Sequence, residues 1–91
     1  MSTEPPPRPL PLVRAMIDAL DRDLLQTVAR RMALVGEVAA YKRLHGLRVR
    51  DPARERELLD DRARLAEELG LPAGEVESIF RILLRASRDH Q

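Results

Sequence analysis

Two basic residues lie in register with an apolar stripe in the first half of the sequence. Positions 24, 28, 31, 35, 38 and 42 follow one another in steps of three and four, which keep them on one face of a helix. Arg31 and Lys42 occupy two of these positions, and their separation corresponds to about 16 Å along a helix axis. Two long side chains reaching toward each other over that distance could hold opposite ends of a small dianion. Because buried cations are costly unless they are paired, the pattern predicts either buried carboxylates or an anionic ligand.

Further polar residues occur where partners for such a site are expected. Asp51 and Glu55 share one face of the first turn of a second predicted helix, with Arg54 beside them. On a third predicted helix, an apolar stripe is continued by Ser87 and then by Gln91. The competing interpretation is that Arg31 and Lys42 extend to the solvent or form a structural ion-pair network. The only lysine of the chain lies in the first stripe, and this use of a compact ammonium among many guanidinium groups favours a binding site.

Arg14 is a further candidate cation. It lies about 100° around the first helix from Arg31, at 100° per residue, so the two cannot serve one site within one straight helix. A second subunit could bring Arg14 to the site. Without such a partner, Arg14 is expected to be a solvated charge in the first turn.

These residues are expected on three helices, because no segment alternates with period two over a useful length. The first helix is predicted from about Leu12 to about Leu44, with a stop at Gly46. The pair Asp51 and Pro52 starts the second helix, which Gly70 ends, and Pro72 opens a third helix that continues to the C-terminus. The apolar positions of the second helix include Leu58, Leu59, Leu65, Ala66 and Leu69. The residues expected on the buried side of the third helix are Val76, Ile79, Phe80, Leu83 and Leu84.

The predicted length of the first helix bears on assembly. A helix of about 33 residues is roughly 50 Å long, whereas a compact domain of this size has a radius of gyration of about 12 Å. Two shorter helices cannot cover its stripe, so the fold class predicted here is all-α with a homo-oligomer built on the long helix. A break at Gly36, giving a three-helix monomer, is the alternative.

The composition excludes several classes of function. The 91 residues include no cysteine and only two histidines, so we expect neither a metal site nor a disulfide. The net charge is +1 and 2% of the residues are aromatic, so neither nucleic acid nor an anionic membrane is an expected partner. Because no apolar segment is typical of a signal peptide or a membrane span, we expect a cytoplasmic protein. Residues 1–11 hold five of the seven prolines and are predicted to be a disordered leader before one domain, residues 12–91.

Four segments in order resemble the all-helical class of chorismate mutase, of the bacterial mutase-domain type. They are VRAMIDALDRDLL, ARRMALVGEVAAYK, VRDPARERELL and SIFRILLRAS, and the resemblance extends from Val13 to the terminal Gln91. It implies three helices per chain in an intertwined homodimer with two equivalent sites. The implied activity is the Claisen rearrangement of chorismate to prephenate, in the shikimate pathway toward aromatic amino acids. Since this isomerase reaction is unimolecular and pericyclic, no cofactor is implied.

The resemblance also implies roles for the candidate cations and for Ser87 and Gln91. Lys42 and Gln91 would converge on the ether oxygen, where negative charge builds in the transition state, so Lys42, Gln91 and Arg31 are the catalytic candidates. Arg31 and the other subunit's Arg14 would bind the two substrate carboxylates through planar guanidinium groups. Ser87 would add a carboxylate hydrogen bond.

The start of the second helix distinguishes the mutase from its nearest rival. By resemblance, Glu55 would accept from the ring hydroxyl, Asp51 would shape that end of the pocket, and Arg54 would orient the carboxylates and close the site. The rival is isochorismate-pyruvate lyase, which shares the fold and the cations. These three residues, with Ser87, favour the mutase.

An alternative of a different class is a non-catalytic helical module for dimerisation or regulation. Such a module would tune a partner enzyme of the shikimate pathway, and small mutases of this type can also depend on such a partner. The chain could, in addition, be one domain of a larger bifunctional protein.

Overall fold

The computed structural model describes residues 4–89, which form three helices. These are α1 (Leu10–Leu44), α2 (Pro52–Glu68) and α3 (Ala73–Asp89). The described residues contain no strand, so the predicted all-α class with three helices is confirmed. Within the same residues, no helix combines the length and the apolar character needed to cross a membrane.

Helix α1 begins two residues earlier than predicted. The Pro9 carbonyl accepts hydrogen bonds from the amides of Leu12 and Val13, with N···O distances of 3.0 and 3.1 Å. Pro11 therefore lies in the first turn, where the missing N–H of a proline has no helical partner to lose. The helix then continues through Gly36 without a break, so the continuous helix predicted from the sequence is confirmed.

The ends of the helices are set by local signals that the sequence displays. After α1, Gly46 adopts a positive φ of 65°, and the amide of Leu47 donates to the Lys42 carbonyl at 2.7 Å. Positive φ is the conformation that glycine adopts without steric cost at a helix C-terminus. Asp51 caps α2, and Gly70 follows its C-terminus with a φ of 71°. These predicted boundaries are confirmed.

The described chain divides into two compact units, one up to Arg31 and one from Met32 onward. In the N-terminal unit (residues 4–31), no described residue is buried. In the C-terminal unit (residues 32–89), the backbones of α2 and α3 pack against each other. The guanidinium carbon of Arg62 on α2 lies 5.8 Å from the centre of the Phe80 ring on α3. The buried residues of this unit are Ala39, Leu58, Ala66 and Ser87.

One residue expected on the buried side of the third helix is exposed in this structure, as are two apolar positions of the second. Leu65 is 47% exposed, and Leu69, which follows the last residue of α2, is 65% exposed. Ile79 is 54% exposed, so its predicted burial is wrong for the described chain, and it lies at the margin of the apolar stripe of α3. A single packed neighbour covers the centre of such a stripe and leaves its margins in the solvent.

Candidate functional site

Lys42 lies in the last turn of α1 with its ammonium beside the connection to α2. The side chain is half-buried, and Nζ donates a hydrogen bond to the Val49 carbonyl oxygen at 3.2 Å. The turn at Gly46 returns the chain past the end of α1 and so places this carbonyl within reach. Among residues 4–89, Lys42 has no carboxylate within ion-pair distance. An ammonium carries three donors, so donors remain for an anionic ligand.

Two clefts of the C-terminal unit share Lys42 in their walls. One has a volume of about 370 Å³ and is lined by Lys42, Leu47, Arg48, Arg50, Asp51 and Pro52. The other has a volume of about 450 Å³ and is lined by Leu34, Glu37, Val38, Tyr41, Lys42 and Leu47. Volumes of about 300 to 1,000 Å³ are usual for small-molecule sites. Lys42 therefore lies between a basic cleft and a mainly apolar cleft, each large enough for a small metabolite.

The start of α2 contributes Asp51 and Pro52 to the basic cleft, and two further candidates, Arg54 and Glu55, follow in the first turn. The Asp51 carboxylate lines the cleft and accepts a hydrogen bond from the Arg54 amide at 3.0 Å, as the N-cap of α2. Glu55 is half-buried in the first turn. Arg54 is exposed, and its Nη1 atom pairs with Glu57 Oε1 at 3.1 Å. The structure thus brings Asp51 to the cleft of Lys42, whereas the Arg54 side chain is directed to a neighbouring carboxylate.

Ser87 is a buried hydroxyl of α3 that is already used within its helix. Its Oγ atom donates to the Leu83 carbonyl at 2.8 Å and lies 3.7 Å from the sulfur of Met32. A hydroxyl has one proton to donate. To bind a ligand carboxylate, Ser87 must therefore turn its hydroxyl away from Leu83.

The remaining candidates lie outside the C-terminal unit or outside the described residues. In the N-terminal unit, Arg14 is exposed, while Arg31 is half-buried with its Nη1 atom shielded from solvent. Gln91 falls outside residues 4–89. The predicted roles of these three residues stay predictions.

Arg48 and Arg50 were missed by the reasoning from sequence. Both are exposed and line the basic cleft with Lys42. Periodicity could not identify them, because they lie in the connection between two helices. The available signal was the concentration of basic residues in this connection, where one arginine lies on each side of Val49.

Asp51 has a structural role that substitutions can separate from binding. Replacing an N-cap Asp by Ala costs about 1 kcal/mol of stability, whereas Asn caps a helix about as well as Asp. We expect Asp51→Ala to lower the free energy of unfolding by about 1 kcal/mol, and Asp51→Asn to leave it within a few tenths. Urea denaturation of the two variants measures the difference. Equal losses in both variants would show that capping is not what Asp51 contributes to stability.

Comparison with known proteins identifies the family. The model of the family described as chorismate mutase type II matches residues 13–91. The T-protein of Haemophilus influenzae is 40% identical over 75 residues, which cover 82% of this chain and 20% of the T-protein. The chain therefore spans about a fifth of the length of that relative.

Two relatives are closer to this chain in length. The 4-amino-4-deoxychorismate mutase of Streptomyces venezuelae is 36% identical over 79% of this chain and 70% of its own length. The isochorismate pyruvate lyase of Pseudomonas aeruginosa is 38% identical over 75% of this chain and 66% of its own length.

The resemblance inferred from four sequence segments is confirmed by the family match. The chain belongs to the chorismate mutase type II family.

Proposed function

We propose that this chorismate mutase type II domain catalyses the rearrangement of chorismate to prephenate. The ether bond of the substrate breaks while a carbon–carbon bond forms within the same molecule, so no group is transferred to the protein. The domain then has two tasks. It holds the flexible enolpyruvyl side chain over the ring, and it stabilises the negative charge that develops on the ether oxygen.

The observation that carries this proposal is the environment of Lys42. Lys42 is half-buried and lines two clefts, and its ammonium donates a hydrogen bond to a neutral carbonyl rather than to a carboxylate. A cation that no carboxylate neutralises within residues 4–89 is placed to stabilise an anionic ligand. A preorganised donor of this kind is typically worth about 3 to 4 kcal/mol in the transition state.

The other candidates complete the proposed site around Lys42. Arg31 and the Arg14 of a second copy bind the carboxylates, and Ser87 adds a hydrogen bond after its hydroxyl turns from Leu83. Glu55 accepts from the ring hydroxyl, and Gln91 donates to the ether oxygen beside Lys42. Arg54 exchanges Glu57 for a substrate carboxylate, which costs little because an exposed ion pair contributes about 0 to 1 kcal/mol.

We further propose that the domain works as an intertwined homodimer. The support is the N-terminal unit, where large apolar side chains are between 43% and 68% exposed. They are Leu10, Leu12, Met16, Ile17, Leu20, Leu24 and Leu25. An apolar surface of this extent is unusual on a soluble monomer and is typical of an interface. A symmetric pair of α1 helices buries it and delivers Arg14 to the partner's site.

The lyase reaction is the second candidate, and the similarity to the Pseudomonas enzyme supports it. The test supplies the purified protein separately with chorismate and isochorismate, and identifies the products. We expect prephenate from chorismate at a rate well above the uncatalysed one. Salicylate and pyruvate from isochorismate, without prephenate from chorismate, would reject the mutase in favour of the lyase.

A third substrate belongs in the same assay because of the Streptomyces relative. That protein is named for 4-amino-4-deoxychorismate, which differs from chorismate at one ring substituent. We expect chorismate to be preferred, because the chain matches the chorismate mutase family over residues 13–91, although a carboxylate at Glu55 accepts a hydrogen bond from a hydroxyl or an amine alike. A higher kcat/KM with the amino compound would contradict this preference.

The regulatory module, a partner enzyme of the shikimate pathway and a cytoplasmic location stay predictions. Absence of turnover with all three substrates would favour the non-catalytic module. Turnover that appears only after a shikimate-pathway enzyme is added would favour dependence on a partner.

A further inference from the structure

Charge is distributed unevenly along the C-terminal unit. Residues 42–56 contain six basic and two acidic residues, whereas residues 57–77 contain seven acidic and two basic residues. Glu67 lies 15 residues beyond Pro52 on α2, which corresponds to about 22 Å along the helix axis. This distance is about twice the Debye length of roughly 10 Å at 0.1 M salt. The far acidic end at Glu67 therefore does not cancel the positive potential around the start of α2, and the nearer Glu57 is already paired with Arg54.

Two arginines concentrate that potential beside the proposed site. Arg48 and Arg50 are exposed and line the basic cleft together with Lys42. Within residues 4–89, neither takes part in an ion pair. The one carboxylate of the cleft, Asp51, already accepts the α2 cap hydrogen bond from Arg54. The cleft thus carries three cations and a single acid.

We propose that Arg48 and Arg50 form an anion-capture rim, which attracts the dianionic substrate to the cleft of Lys42 without touching the reacting atoms. This inference rests on the proposed function and adds two residues to it. The two side chains act through long-range attraction, so they affect capture of the substrate and not the chemical step. Such attraction weakens as salt shortens the Debye length, which falls to about 3 Å at 1 M.

The test compares Arg48→Gln, Arg50→Gln and the double variant with Arg64→Gln. Arg64 is an exposed arginine of α2 about 18 Å along the axis from Pro52, so its substitution removes the same charge away from the cleft. At about 0.1 M ionic strength, where the Debye length is roughly 10 Å, we expect KM for chorismate to rise by roughly two- to fivefold for each rim variant, and further for the double variant, with kcat unchanged. At 1 M salt these differences should disappear. Arg64→Gln should match the wild type throughout.

Three outcomes would overturn the proposal. They are an unchanged KM in the double variant, a parallel fall in kcat, and a rise in KM that persists at high salt.

A second measurement separates this proposal from the proposed function. Malonate, a small dicarboxylate, is titrated while the amide signals of residues 47–51 are followed by NMR. Weaker binding in the double variant than in Arg64→Gln supports the rim even if chorismate is not turned over, and equal binding contradicts it.

Discussion

Replacing Lys42 by methionine is expected to lower kcat for chorismate by roughly 10²- to 10³-fold. This is the usual effect of removing one preorganised hydrogen-bond donor from a site where negative charge develops in the transition state. Methionine keeps most of the aliphatic stem and removes only the ammonium. The lost hydrogen bond to the Val49 carbonyl has a charged donor and contributes about 1.5 to 3 kcal/mol, which is less than the roughly 5 to 15 kcal/mol by which a typical domain is stable. The expected signature is therefore a large loss of turnover with little change in the helical circular dichroism signal.

Arg43→Met provides the matched control for this substitution. Arg43 is the next residue in the last turn of α1 and is exposed, so the same change there removes a charge without reaching the clefts. We expect its kcat to stay near that of the wild type. Similar losses in both variants would mean that general charge, and not the position of Lys42, supports turnover. If the wild type has no turnover and Lys42→Met raises stability, the non-catalytic module is favoured, because an unneeded half-buried cation is destabilising.

Arg14→Ala is expected to have the second largest effect, because Arg14 is proposed to bind a substrate carboxylate in the site of a second copy. Truncating one partner of a buried, hydrogen-bonded charge pair costs about 2 to 4 kcal/mol, which corresponds to roughly 30- to 10³-fold in kcat/KM. In the chain described here Arg14 is exposed. The proposed charge pair forms only when substrate is bound, so the loss of Arg14 should leave the thermal denaturation of the ligand-free protein unchanged.

Arg22→Ala is the control for Arg14→Ala. Arg22 is another exposed arginine of α1, two turns farther along the helix. Its replacement should leave kcat/KM near the wild-type value, while both variants retain the mass of a dimer in light scattering. An undiminished kcat/KM in Arg14→Ala would show that the site does not use this residue.

The helix boundaries could be predicted from the sequence because their causes are local. Asp51 followed by Pro52 starts α2 through a side-chain cap and a fixed φ, and Gly46 and Gly70 supply the positive φ that ends a helix. The exposure of Ile79 could not be predicted in the same way. Periodicity identifies the apolar face of a helix, but how much of that face is covered depends on the neighbouring helices.

The candidate site was predictable only in part, for the same physical reason. The stripe identified Lys42, since a cation in register with apolar residues is readable from spacing alone. The hydrogen bond to Val49 could not be predicted from spacing, because it depends on the path of the connection after Gly46. The two arginines beside Val49 were indicated only by the basic density of that connection, and not by periodicity. The side chain of Arg54 contacts Glu57, and the hydroxyl of Ser87 donates to the Leu83 carbonyl. These rotamers are set by the nearby acceptors and cannot be predicted from residue spacing.

The most direct test of a site shared between two copies is complementation between two inactive variants. Arg14→Ala and Lys42→Met are unfolded together in equal amounts and refolded, so that half of the dimers contain one chain of each kind. If each site combines Arg14 of one copy with Lys42 of the other, every mixed dimer has one intact site, and the mixture recovers about one quarter of the wild-type activity. Recovery of no activity, in a mixture that light scattering shows to be dimeric, would contradict a site built from two chains.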